Sequence, residues 1–147
     1  MPKLWKKGRG KLGFLEPLLG NWVADAETPM GPVRCTRAFE KFGAGYIKLH
    51  ATWDFCGRIY QEFAFIGPGD DGKVAFWSFT NDAKRSQGTV ADVTDVHPEA
   101  IGFEAHMDAG LARMAYWPDD KGGFFWIVES KTKKGWRRFV THHYRAA

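Results

Sequence analysis

The chain has 147 residues, enough for one domain with a real hydrophobic core. Aromatic residues make up 16% of it, including seven Trp, and with seventeen Gly they favour short strands joined by tight turns. A net charge of +4 is only mildly basic, and acidic residues are spread through the chain, which speaks against nucleic acid as the partner.

The first ten residues form a basic tail, with Lys3, Lys6, Lys7 and Arg9 in it. It has no apolar stretch and no small-residue cleavage site, so no secretory signal is expected. No later apolar run is long enough to span a membrane, and a cytoplasmic location is the default. Residues 11–147 then read as a single domain. Its opening stretch, KLGFLEPLL at 11–19, predicts a short helix with Phe14, Leu15, Leu18 and Leu19 on one side, limited by Gly13 and Pro17.

From Trp22 onward the pattern becomes β. NWVADAE alternates, with Trp22, Ala24 and Ala26 on one face. VRCTRAFEKF places Val33, Cys35, Arg37 and Phe39 together, and YIKLHATWDF does the same for Ile47, Leu49, Ala51 and Trp53. Such alternation marks strands with one buried face. Further strands are predicted at about 58–66, 73–80, 87–94, 100–107, 111–118, 123–131 and 135–145. They are separated by turn chemistry such as GPGDDG, TNDAKRSQG and DDKGG. About ten short strands in regular succession predict an all-β fold, a single antiparallel up-and-down β-barrel that removes its own exposed edges. Between 58 and 94 both faces are mixed, and the inward one cannot be chosen. A barrel of this size either fills its interior with side chains or holds one small ligand.

Cys35 and Cys56 are the two cysteines. Pairing 33–42 with 45–54 through Gly43-Ala44 puts Cys35 opposite Thr52, with Cys56 roughly 13 Å further along. That is too far for a disulfide, so two reduced thiols are expected. No CxxC or HxxxH spacing occurs, and no metal site is predicted.

The entry to the first strand, Leu18-Leu19-Gly20-Asn21-Trp22, resembles that of the calycin superfamily: lipocalins, fatty-acid-binding proteins and nitrobindin-like barrels. Overall the chain is most similar to bacterial lipocalin-like domains of about this length, sharing the L-x-G-x-W entry, the Pro29-Met30-Gly31-Pro32 turn and the segment FWSFTNDAKRSQG. The resemblance implies a calycin-like barrel in which Gly20 and Trp22 are structural, Trp22 packing across the floor, often against an Arg. Arg137, Arg138 and Arg145 in the last strand are the candidates for that stacking partner. CTRAFEK is also similar to the last strand of fatty-acid-binding proteins, where Arg-x-Tyr holds a lipid carboxylate. Here the Tyr position is Phe39.

Alternation itself places Arg37 inside the barrel. It is either paired with an interior carboxylate, such as Glu62 or Glu104, or serves as an anchor for an anionic ligand. Trp53, Trp77, Trp117, Trp126 and Trp136 either fill a core or line an apolar pocket. No nucleophile elbow, phosphate-cradling glycine loop or HExxH occurs, so no catalytic residue is assigned.

The chain closes on THHYR. Neighbouring strand residues face opposite ways, so His142 and His143 cannot share a metal. His142 is grouped with Trp136, Arg138, Val140 and Tyr144, the more apolar set, and is the inward candidate. The resemblance to nitrobindin-like barrels implies haem through such a C-terminal histidine. The leading expectation is a binding protein without a cofactor. It takes a small hydrophobic or amphipathic molecule, with Arg37, the interior Trp residues, His142 and Tyr144 around it. The alternatives are a haem barrel with redox or nitric-oxide-related chemistry, and a filled barrel acting as an interaction or homodimer module.

Overall fold

A computed structural model describes residues 3–147, so residues 1 and 2 of the expected basic tail lie outside the described range. Ten strands follow in sequence: β1 (Gly20–Thr28), β2 (Gly31–Phe42), β3 (Tyr46–Phe55), β4 (Arg58–Pro68), β5 (Val74–Thr80), β6 (Arg85–Ala91), β7 (Ile101–Met107), β8 (Gly110–Pro118), β9 (Phe124–Thr132) and β10 (Gly135–Ala146). Each pairs antiparallel with the next. β1 closes the circle on β10 through Trp22↔Ala146 and Val23↔Arg145. The fold is a closed up-and-down barrel. Among the described residues no helix is long and apolar enough to cross a membrane.

The expected helix at 11–19 is only a 3-10 helix, Gly13–Leu18. Pro17 lies inside it, and Gly13 packs so closely on the Gly8 carbonyl that a side chain there would collide with backbone. Its apolar side is nonetheless deep: Leu15 and Leu18 are fully buried in the main core with Phe39, Phe103 and Phe124. This segment plugs one end of the barrel. The tail before it is held down too, since the Glu99 carboxylate accepts the backbone N–H groups of Leu4 and Trp5 at 3.2 and 3.0 Å.

Two register details correct the sequence reading. The β2–β3 loop has three residues, Gly43-Ala44-Gly45, because Phe42 pairs with Tyr46. Cys35 therefore faces Trp53 rather than Thr52, and both point inward as strand parity requires. Both cysteines are free, Cys35 buried and Cys56 exposed. In β10 a bulge at Phe139 breaks the ladder between Arg138 and Val140. One extra residue reverses the facing of everything before it. Val140, His142 and Tyr144 point inward, whereas Trp136 and Arg138 lie outside. Trp136 stacks there with Arg113, whose guanidinium carbon is 4.3 Å from its ring centroid.

A second, smaller core forms on the outer wall, where Val93 of the β6–β7 loop covers Ala115 and Ile127. Gly102 makes this possible, since any side chain there would press into the Val93 methyls. Arg113 fixes the same loop by bonding Asp95 at 3.1 and 2.8 Å while also meeting Glu129 at 2.8 Å.

Candidate functional site

The plugged end leaves the other end of the barrel open. A cavity of about 400 Å³ enters there, between the β5–β6 and β7–β8 turns. Trp53, Phe76, Phe103, Met114, Trp126 and Val128 make its apolar wall, and Arg37, Glu62 and Ser78 its polar one.

Arg37 is delivered by β2, directly beside Trp22 of β1 and Ala51 of β3. It is 1% exposed. Its Nη2 donates to the Tyr116 hydroxyl at 3.0 Å, and its guanidinium lies over Trp126 with 4.1 Å from carbon to ring centroid. Neither expected carboxylate pairs with it. Glu62 instead accepts the Ser78 hydroxyl, and Glu104 sits on the outward side of β7 between inward Phe103 and Ala105. The Arg37 Nε and Nη1 groups and the Trp126 Nε1 group are buried with no hydrogen-bond partner among the described residues. The two residues that carry these donors both line the cavity, although the donor atoms themselves are closed off from it. Burial pulls the Arg37 pKa down, but the Tyr116 and Tyr144 hydroxyls and the Glu62 carboxylate more than offset this, so the charge persists.

The hydroxyl that Phe39 lacks is supplied from across the barrel. Tyr116 of β8 packs edge-on to Phe39, with centroids 5.8 Å apart, and presents its hydroxyl to Arg37. Sequence reasoning missed Tyr116, although it shares strand parity with Met114, which lines the cavity.

His142 and Tyr144 face inward but do not line the cavity. His142 Nδ1 meets the Tyr144 hydroxyl at 3.2 Å, and its Nε2 lies 4.0 Å from the Cys35 sulfur. Burial, reinforced by the Arg37 charge, lowers the His142 pKa to about 4. Burial pushes the Cys35 thiol up to about 11 and Tyr144 up to about 12. The contact is therefore a neutral thiol against a neutral imidazole, not an activated thiolate pair. Haem does not fit this arrangement: both imidazole nitrogens face protein partners, and the cavity is walled by Trp126 and Arg37 rather than by His142. His143 points outward to Asp119, at 2.7 Å.

Of the expected lining residues, Arg37, Trp53 and Trp126 meet at the cavity. Trp77 and Trp117 do not, because Phe76, Ser78 and Tyr116 take the inward positions of their strands. Trp77 pairs with outward Phe65 on β4, and Trp117 packs under the β6–β7 loop beside His97. Gly20 lies beside the Trp22 indole with φ of +128°, a backbone shape that suits glycine. Trp22 itself is tied to the plug, its Nε1 donating to the Leu18 carbonyl at 2.8 Å and its ring edge-on to Phe124. The arginines expected over it are elsewhere. Arg145 pairs with Asp25, Arg138 with Glu129, and Arg137 is exposed near the rim.

No family model matches the chain, and no curated protein matches it.

Proposed function

We propose that this barrel binds one small amphipathic molecule, its apolar body against the aromatic wall and an anionic or acceptor-rich group at Arg37. The observation that carries this reading is a buried arginine without an ion-pair partner on the wall of a largely apolar cavity, its Nε and Nη1 and the neighbouring Trp126 Nε1 lacking acceptors among the described residues. Leaving a buried donor unpaired costs about 1–3 kcal/mol, more for a charged group, and a ligand bearing oxygen acceptors relieves that cost. The calycin-like entry at Gly20 and Trp22 supports the same reading, since hollow barrels of that superfamily hold such ligands.

The test is titration with an anionic amphipathic fluorophore and with its uncharged ester. Tight single-site binding of the anion should weaken roughly 10- to 100-fold in Arg37→Gln, the worth of a charge-assisted hydrogen bond. The ester should respond far less. Equal loss of both ligands, or no binding by either, would overturn the reading. Mass spectrometry of natively purified protein would identify the natural occupant.

A second reading, pairing of two copies, is favoured by the outer wall of β4 and β5. Ile59, Phe63 and Phe79 are exposed there, Phe63 being the cross-strand partner of Phe79 and stacked on His50 at 4.2 Å. Light scattering on wild type and Phe63→Lys distinguishes this state from a monomer.

A further inference from the structure

We propose that the open end of the barrel docks on an anionic membrane surface through one side of its rim. The rim is lopsided in chemistry. The β5–β6, β7–β8 and β9–β10 turns, with the residues just after them, carry Lys84, Arg85, Lys133, Lys134 and Arg137, against Asp82 and Asp108. Across the mouth, the β1–β2 and β3–β4 side mixes Asp25, Glu27 and Asp54 with Arg34 and Arg58. The basic side also exposes apolar bulk. Phe139 is 59% and Met107 47% exposed, and both line the cavity mouth beside Lys84 and Arg85.

Phe139 is the bulge residue of β10, the extra position that the ladder leaves unpaired. A bulge at a barrel rim re-aims a side chain, and this one displays a phenyl ring at the entrance. Exposed rings among cations suit an interface of acidic headgroups, where the ring enters the acyl boundary and the cations meet the headgroups. Nucleic acid would use the cations but gives no reason for Phe139 and Met107 at the mouth. A ligand partitioned in a bilayer would then face the cavity directly.

The basic N-terminal segment takes no part. Its backbone is fixed to Glu99 in the β6–β7 loop at the plugged end, so the two basic clusters of the chain lie at opposite ends of the barrel.

Co-sedimentation of the full chain with phosphatidylcholine vesicles, with and without phosphatidylserine, tests this without any cavity ligand. Its failure would therefore leave the binding reading standing. The protein should partition onto the phosphatidylserine vesicles only. Lys133→Gln with Lys134→Gln should weaken partitioning about fivefold for each cation removed. Phe139→Ala should weaken it roughly tenfold, the worth of a buried ring, with thermal unfolding showing that the barrel persists. Lys6→Gln with Lys7→Gln should leave it unchanged. Absence of binding to acidic vesicles would overturn the proposal. So would loss of binding through Lys6 and Lys7, or binding that ignores Phe139→Ala and is matched by duplex DNA.

Discussion

The guanidinium of Arg37 lies over the indole of Trp126 at 4.1 Å, and both groups keep buried donors with no acceptor among the described residues. A charge in this position stabilises the empty barrel poorly. It is held by a cation–π contact, tyrosine hydroxyls and a Glu62 carboxylate that forms no ion pair with it, an arrangement that an apolar side chain of similar volume can replace at little cost. Arg37→Met should therefore leave the free protein as stable as wild type or up to about 2 kcal/mol more stable in urea unfolding, while removing affinity for anionic ligands. A loss of stability beyond about 2 kcal/mol would mark Arg37 as a structural group and remove the main support for an anchoring role.

The interior imidazole makes stability depend on acid. His142 titrates at about 4 in the folded chain against 6.5 for an ordinary imidazole. Between those values the unfolded chain binds the extra proton, so stability is full above about pH 6.5, falls as pH drops toward 4, and gains no further slope below. The span is about 3 kcal/mol. Urea midpoints from neutral to acid should show this decline in wild type and not in His142→Gln. Parallel curves would place the proton uptake elsewhere. Asp95, held low by its hydrogen bonds to Arg113, contributes stability that is lost only below the ordinary carboxylate range, outside this window.

Strand count and the inward face of β2 and β3 were legible because those segments alternate cleanly, whereas turn lengths were not, the β2–β3 loop taking in Gly45 as well. Arg37 could be placed inside from Val33, Cys35 and Phe39 alone. The signal failed where both faces are apolar for different reasons. In β8 and β9 the outer face is covered by Val93 of a neighbouring loop, so Ala115, Trp117 and Ile127 look as buried as Tyr116 and Trp126. In β4 and β5 the outer wall carries its own aromatic strip, so Phe63 and Phe79 hide the inward parity of Glu62 and Ser78. The bulge at Phe139 has no clear mark in WRRFVTHHY, and it alone moved Trp136 from the expected inside to the outside. The orphan donors of the site depend on contacts across the barrel, which no local pattern encodes.

Arg113 illustrates the opposite case to Arg37, a buried arginine with its charges matched. It bonds Glu129 and Asp95, and Arg138 reaches the second oxygen of Glu129 at 3.1 Å. Removing one member strands the others, so Arg113→Met should cost about 3 kcal/mol in urea unfolding. It should also raise hydrogen exchange across residues 92–100, the loop held through Asp95. A cost under about 1 kcal/mol would show that the cluster acts as an ordinary surface pair.

The two thiols should separate sharply in reactivity. Cys56 is exposed in the tight β3–β4 turn, with φ of +55° at Cys56 and +100° at Gly57, and nothing shields it from reagent. Cys35 is fully buried behind the sheet, and burial raises its pKa to about 11, so the reactive thiolate is scarce as well as inaccessible. A chromogenic disulfide reagent should therefore titrate one thiol per native chain quickly. The second should react at least roughly a thousandfold more slowly, because it waits on the rare open state of the barrel. Cys56→Ser should abolish the fast phase alone. Because Cys35 touches His142 and shares the interior with Arg37, an occupant of the cavity that tightens the barrel should slow the second phase further and leave the first unchanged. Rapid labelling of Cys35 in the native protein would mean that the wall between β1 and β10, where the ladder has only two paired positions, opens on its own.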